Sequence, residues 1–507
     1  MIPPSLLATA LAFLYTLPAS AIQPTAPSPI PAPLRDLSLG QLNFLHTTDI
    51  HGWLSGHLRE PSFAADWGDY ISFTEHMRAQ ADAAGNDLLV IDTGDRVEGS
   101  GLYDMSNPPG KYYYDIFQRQ SIDLLCVGNH ELYKAATADA EYNRMAKYYN
   151  TSYISSNVDI YDAKYGQYVP LAQRFKKFTT KNQGIRIMAF GFLFNFLGNA
   201  NNTIVHTVES TIQQSWFQSA IRDSEIDLIV VAGHIPVHSD EYTALYRAIR
   251  QVRGDLPIHF FGGHLHIRDY ARYDDKAYGL ASGRFMETVG FASISGLSSA
   301  YTPHIRSTTP ISFHRRYIDN NLFSYYHHTN TNESTFPTEK GLATTQMITD
   351  ARNQLELDHT HGCSPDDYWM SRAKYPQDNS SIYTWLSHSV FPATVRNESR
   401  KHMPSLVLTN TGSIRFDILK GPFTRDSAAT FCPFTSVFKY VKDVPYEKAL
   451  VILALLNDGS EILKTGIKSL PGKARQRPMG IPEEIGRAQD AIEIDDTINH
   501  AGGAQDE

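Results

Sequence analysis

Cysteine is scarce in this chain: three in 507 residues, none in the C-x-x-C spacing of a thiolate metal site. An odd number leaves at least one thiol unpaired. Cys126 falls inside the apolar run 122–127 and is expected to be a buried thiol, while Cys363 and Cys432 are candidates to pair in an oxidising compartment. Positive charge is also in short supply. With a net charge of −9, no basic field exists to attract a nucleic-acid polymer or an anionic membrane, so any phosphate must be captured locally. The only early apolar run, 6–17, is shorter than the roughly 20 residues that span a bilayer. Followed by Ala19-Ser20-Ala21, it makes residues 1–21 read as a cleaved signal peptide. No later run is long and apolar enough to cross a membrane.

With 42% apolar and 20% charged residues the chain has the balance of a soluble enzyme, and its length exceeds what one core usually organises. Residues 22–37, with five prolines between 24 and 34, read as a stiff solvated linker. The remaining boundaries are expected at 38–318 for a first domain, 319–339 for a polar linker, 340–463 for a smaller second unit and 464–507 for a disordered tail. N-x-S/T sequons at Asn150, Asn201, Asn332, Asn379 and Asn397 agree with a glycoprotein of the secretory pathway, whether secreted, periplasmic-type or vacuolar.

Through the first domain, short β-rich runs alternate with amphipathic stretches. Strands are expected at 42–46, 88–91, 122–127, 153–156, 185–190, 228–231 and 258–261, with helices at 70–84, 134–149, 211–222 and 241–252. That alternation predicts a layered α/β fold, a sandwich of mixed sheets flanked by helices. Residues 278–295 read as short strands completing this domain's sheet, 319–335 as a surface loop, 344–357 as a helix opening the second unit and 406–409 as a strand within it.

Five segments that follow strands carry ligands for hard or borderline metals: Asp49 and His51; Asp95; Asn129, His130 and Glu131; His234; and His264 with His266. In open α/β sheets, sites form beyond the carboxyl ends of strands, which is where all five fall. Asp49 and His51, one residue apart, are expected to share a face by strand alternation. Carboxylates mixed with imidazoles suit iron, manganese or zinc better than calcium. In the Gly128-Asn129-His130-Glu131 segment, Asn129 offers a neutral oxygen to a metal, His130 faces substrate, and Glu131 is expected to hold the His130 ring. Phosphoester hydrolysis is the chemistry that most needs two metals held together.

In this order the segments resemble the calcineurin-like metallophosphoesterase superfamily, and Leu45-His46-Thr47-Thr48-Asp49-Ile50-His51-Gly52 is similar to its 5'-nucleotidase branch, in a fungal-type secreted form. The resemblance implies one divalent metal held by Asp49, His51, Asp95 and His266 and a second held by Asp95, Asn129, His234 and His264. His130, paired with Glu131, would be the catalytic non-ligand histidine. Asp95-Arg96-Val97-Glu98-Gly99 departs from the branch, which usually has glutamine here. The segment 408–415 is similar to the loop that brings Asn410, Gly412 and Arg415 to the substrate, and 431–434 to the element whose phenylalanine, here Phe434, stacks on the base. Core packing is the other role open to Phe434. Arg372 is a further candidate phosphate contact. No second base-stacking aromatic is found, so the second unit reads as an incomplete α+β domain.

The expected activity is removal of phosphate from nucleoside 5'-monophosphates or related nucleotides by attack of a metal-bound hydroxide. Nucleotide sugars, cyclic nucleotides and other small phosphoesters are the alternatives sharing the same metals. A catalytically silent secreted binding protein is the alternative from another class.

Overall fold

Alternate residues of the long strands enter different cores, which is why those strands read as nearly continuous apolar runs. Leu42 and Phe44 of strand Leu42–Thr47 face Ile187 and Ala189 of strand Arg186–Leu193, together with Leu228, Val230 and Ala232 of strand Leu228–His234, in a core between two sheets. Leu45 turns outward to one helical layer, and Met188, Phe190, Ile229 and Val231 turn outward to the other. The result is the expected mixed α/β sandwich, two sheets inside and helices on both outer faces. The computed structural model describes residues 31–32, 34–298, 310–395, 398–400, 402–434 and 437–457. The expected signal peptide, the start of the linker, the tail from 464 and the sequon at Asn397 lie outside the described residues.

The first sheet pairs Leu42–Thr47 in parallel with Asp87–Asp92, which pairs in parallel with the short Leu124–Leu125. Thr288–Ser295 and Ser312–Asp319 extend it antiparallel on the other side. The second sheet runs parallel through Arg186–Leu193, Leu228–His234, Ile258–Gly262 and Ala277–Ser282, with Phe175–Thr179 and Arg268–Asp274 antiparallel at its edges. Residues 278–295 therefore do not complete one sheet. They cross from the second to the first, which ties the two together.

Several other elements differ from expectation. Residues 153–156 make only isolated bridges, to Leu125 and Gln173, and the strand begins at Val158, in a separate sheet with Gln167–Pro170 and Thr203–Val205. The helix expected at 211–222 is two pieces, Val208–Thr211, capped by the Thr207 side chain, and Ser215–Ile221. Residues 319–335 are not simply loop: Asn321 caps a helix Leu322–Thr329, which the polar composition concealed. The helix expected at the head of the second unit runs Glu339–Gln354 and packs on the first domain's helix Trp67–Ala83. Glycines permit that approach, since a methyl group on Gly68 would lie 2.4 Å from the Gly341 carbonyl oxygen.

Beyond it lies the smaller C-terminal unit, whose sheet has two strands, Thr360–Ser364 and Gly421–Thr424, and whose core gathers around Ile382, Leu386, Ile414 and Ile418. No strand forms at 406–409. Cys363 and Cys432 do not pair, and all three cysteines are free thiols, Cys126 being buried as expected. The unit is fastened to the first domain at separate points. Asp426 accepts from the Gly101 amide at 2.9 Å, and the Arg59 guanidinium donates to the carbonyls of Leu419, Lys420 and Pro422.

Candidate active site

Five loops meet at the carboxyl rim shared by the two sheets. Asp49, His51, Asp95 and His266 bring one ligand atom each within 4.8 Å of one another, and Asp95, His234 and His264 do the same. Asp95 belongs to both groups. Its Oδ1 accepts the His130 amide at 2.8 Å, while Oδ2 lies 3.1 Å from His234 Nε2 and 3.7 Å from His51 Nε2.

Backbone strain makes the convergence. Asp49, His51, Asp95, Glu98, His264 and His266 supply six of the twelve described non-glycine residues with positive φ. Such residues cost energy and persist where surrounding structure over-determines them, commonly at functional sites. The face shared by Asp49 and His51 thus comes from left-handed turns at φ 51° and 48°, not from strand alternation, because the strand ends at Thr47. Gly263 is required by proximity: a Cβ there would lie 2.2 Å from Thr48 Oγ1 and 2.9 Å from Asp49 Oδ2.

The donor set fits cations. Asn129 Oδ1 is buried with no hydrogen-bond partner among the described residues, the pattern expected of an atom kept for a metal, and the buried His234 Nε2 faces only the Asp95 carboxylate. His234 Nδ1 is 2.9 Å from the Thr93 carbonyl and His51 Nδ1 is 2.7 Å from the Glu98 carbonyl, so each ring donates there and leaves Nε2 with its lone pair. His51 Nε2 and His266 Nε2 approach to 3.1 Å, as two lone pairs directed at a common point would. Burial pushes His264 down to about 4, helped by neighbouring His234, and holds His51 well below the usual imidazole range. His234 goes the other way: burial acts to lower it, but the Asp95 and Asp49 carboxylates outweigh burial and raise it to about 9. The charge that draws a proton there is the charge a metal would compensate.

Glu131 does not meet the His130 ring. Consecutive side chains diverge, and the fully buried Glu131 points inward, accepting from the backbone amides of Asp95 at 3.0 Å, Arg96 at 2.6 Å and Gly128 at 2.7 Å. It clamps two ligand loops to each other. The carboxylate beside His130 belongs to Glu98, with Oε2 3.0 Å from Nδ1. Sequence reasoning missed it, although it lies in the segment noted as a departure. It also missed Tyr133, whose hydroxyl accepts from Asn129 Nδ2 at 3.2 Å, and Phe194, stacked on His264 at 4.2 Å. Aromatics spaced along a strand and a loop carry no signal that separates such roles from core packing.

Behind the loops, Arg96 is wholly buried. It donates to Asp92 Oδ1 at 2.8 Å, the Cys126 carbonyl at 2.7 Å, Tyr153 at 3.1 Å and Glu141. Glu141 opens a π-helical segment, Glu141–Ala146, inside the otherwise α-helical stretch from Ala135 to Tyr149.

From the second unit, Arg415 reaches the same cleft. Burial lowers its guanidinium from the ordinary arginine value, the Asp95 carboxylate opposing that effect and Arg284 adding to it. No side-chain hydrogen bond or ion pair occupies it among the described residues, and Phe434 lies 5.9 Å away. Its neighbour Phe416 anchors the loop in a buried cluster with Trp53 and Phe285. Asn410 is turned to local use: its Oδ1 accepts the Gly412 amide at 2.8 Å, shaping the turn. Arg372 faces Glu60 at 3.9 Å and Asp417 at 4.0 Å and lies over Trp369, so its charge is directed to carboxylates.

Residues 42–268 match the Calcineurin-like phosphoesterase family, and 367–504 match the NAD nucleotidase C-terminal domain, a match that continues past the point where composition suggests a tail. A relative from Arthroderma benhamiae, named as a secreted protein, is 39% identical over 472 residues, covering 86% of this chain and 70% of its own. The crystal structure of a 5'-nucleotidase from Candida albicans is 40% identical with a TM-score of 0.77, covering 84% of this chain and 78% of its own. A 5'-nucleotidase precursor from Thermus thermophilus, 15% identical with a TM-score of 0.53 and covering 77% of this chain and 73% of its own, shares the fold. No helix among the described residues is long and apolar enough to cross a membrane. The ligand geometry and these likenesses agree: the chain belongs to the calcineurin-like metallophosphoesterase superfamily, beside its 5'-nucleotidases, and is a metal-dependent phosphoester hydrolase.

Proposed function

We propose that the protein removes the phosphate of nucleoside 5'-monophosphates or closely related nucleotides at two divalent ions. The observation that carries this reading is the position of Asp95, whose carboxylate stands in both ligand groups while Arg415, from the second unit, is near enough to feel its charge. Asp49, His51, Asp95 and His266 are assigned to one ion, and Asp95, Asn129, His234 and His264 to the other. When bound, the pair supplies an activated water and neutralises charge on the phosphoryl oxygens.

The protein's own groups do the rest. Arg415 presents a planar, uncommitted guanidinium suited to bidentate capture of phosphate oxygens. His130, 8% exposed, turns Nε2 toward the cluster, 4.0 Å from Asp95 Oδ2, where it meets the leaving oxygen. As the oxygen of water bonds to phosphorus, the bond from phosphorus to the nucleoside oxygen breaks. His130 gives the departing oxygen a proton and regains one from the attacking water. Phe434 and the Asn410–Gly412 turn are assigned to the nucleoside end.

The likeness of 367–504 to the NAD nucleotidase C-terminal domain favours one second reading, nucleotides whose phosphate is in a diphosphate linkage. Chromatographic product analysis of a panel of a nucleoside 5'-monophosphate, a dinucleotide diphosphate, a nucleotide sugar, a cyclic nucleotide and 4-nitrophenyl phosphate separates these, because only monoester hydrolysis releases phosphate directly while cleavage of a diphosphate linkage releases nucleoside monophosphate. The proposal expects the highest kcat/KM on the nucleoside 5'-monophosphate. Cleavage of 4-nitrophenyl phosphate without any action on that nucleotide would end it.

A further inference from the structure

His130 is gripped from a loop other than its own. Glu98, with 7% of its side chain exposed, places Oε2 3.0 Å from His130 Nδ1, and its other oxygen accepts from Lys134 Nζ at 2.5 Å. Its backbone is in the left-handed region at φ 61°, a conformation a glutamate adopts only when its surroundings enforce it. The enforcement is visible. Asp104 Oδ2 accepts from the amides of Gly99 at 2.7 Å and Ser100 at 3.1 Å. Gly99, at φ 132°, lies so near His51 that a Cβ would be 3.0 Å from the His51 Cβ. The same turn aims the Glu98 carbonyl at His51 Nδ1, 2.7 Å away. One residue therefore holds two imidazoles, each by Nδ1, and leaves both Nε2 atoms facing the cleft.

We propose that Glu98 is the positioning residue for His130: its carboxylate, braced by Lys134, fixes the ring so that Nε2 meets the leaving oxygen of the phosphoester. The inference rests on the reading that His130 serves the leaving group. It differs from a purely structural role, in which Glu98 would only fasten the loop 95–100 and its loss would release metal.

The test compares Glu98→Ala, Glu98→Gln and His130→Ala with wild type in metal content, thermal melting, and kcat and KM on two esters. A nucleoside 5'-monophosphate leaves as a poor alkoxide that needs a proton, whereas 4-nitrophenolate leaves without one. Supporting groups of this kind typically contribute about 10–100-fold. Glu98→Ala is expected to lose kcat on the nucleotide by about that factor, with KM and metal content retained and a much smaller loss on the aryl ester. Glu98→Gln, whose amide oxygen still accepts from Nδ1, should recover part of the loss. Equal losses on both esters together with loss of metal would overturn the proposal in favour of loop fastening. A loss in His130→Ala without one in Glu98→Ala would overturn it alone, while an unaffected His130→Ala would remove the role of His130 and this inference with it.

Discussion

Gly128→Ala probes the contact on which the site is built. A methyl group at Gly128 would lie 2.3 Å from both the amide nitrogen and Oδ1 of Asp95, and Cβ contacts under 3.0 Å are essentially never tolerated, so the two loops must part by at least 0.7 Å (3.0 less 2.3). Asp95 cannot simply yield. Its amide donates to Glu131 Oε2 at 3.0 Å, its Oδ1 accepts from His130, and Gly94 beside it is packed against Gly128 at φ 90°. The displacement passes to Asp95 and Asn129, assigned to the metals, and a 1 Å misplacement in such a site costs about 10²-fold. Overpacking of this kind costs about 1–3 kcal/mol, so the protein should remain folded with a Tm lower by several degrees. Steady-state phosphate release with metal in excess should show kcat/KM down by about 10²-fold. Gly85→Ala is the control, since Gly85 has a positive φ of 68° but open space around it, and it should keep full activity. Wild-type turnover in folded Gly128→Ala would refute the reasoning.

Other substitutions separate the remaining roles. His130→Ala should retain its metal yet lose about 10²–10⁴-fold in kcat on a nucleoside 5'-monophosphate, and unchanged turnover in the metal-replete variant would discard it. Arg415→Lys keeps the charge but loses the fork, and with charge-assisted hydrogen bonds worth about 1.5–3 kcal/mol should lower kcat/KM by about tenfold or more; equal kinetics would place Arg415 outside the phosphate contacts. Arg96→Met leaves Asp92 and Glu141 buried without their cation, a change expected to destabilise by about 3–5 kcal/mol in urea unfolding. An unshifted midpoint would show that the network contributes nothing.

The architecture was legible wherever burial on both faces wrote itself as an apolar run. Residues 42–46, 228–231 and 258–261 stand within a residue or three of the observed strands. The candidate ligand residues stood out in the sequence because carboxylates and imidazoles immediately after such runs have few structural uses. Their backbone was not, since a left-handed φ at Asp49 or His266 is enforced by neighbours distant in sequence. The same limit explains Glu131 and Glu98. Proximity in sequence pointed to Glu131 as the partner of His130, but consecutive side chains part, and the loop after a different strand delivers Glu98. The helix Leu322–Thr329 was concealed by its histidines and asparagines, whose polar character outweighs the Asn321 cap in a reading by composition. At 153–156 the β-rich pattern was real, but Ser156 turns its side chain into a bond with the Arg174 carbonyl and the strand starts later.

Anomalous diffraction from crystals equilibrated with manganese tests the central claim most directly. Two peaks about 3.5–4 Å apart, on either side of Asp95 Oδ2, with Asn129 and His234 at one and His51 and His266 at the other, are the predicted result. A single peak at saturating metal, or two peaks that do not share Asp95, would contradict it.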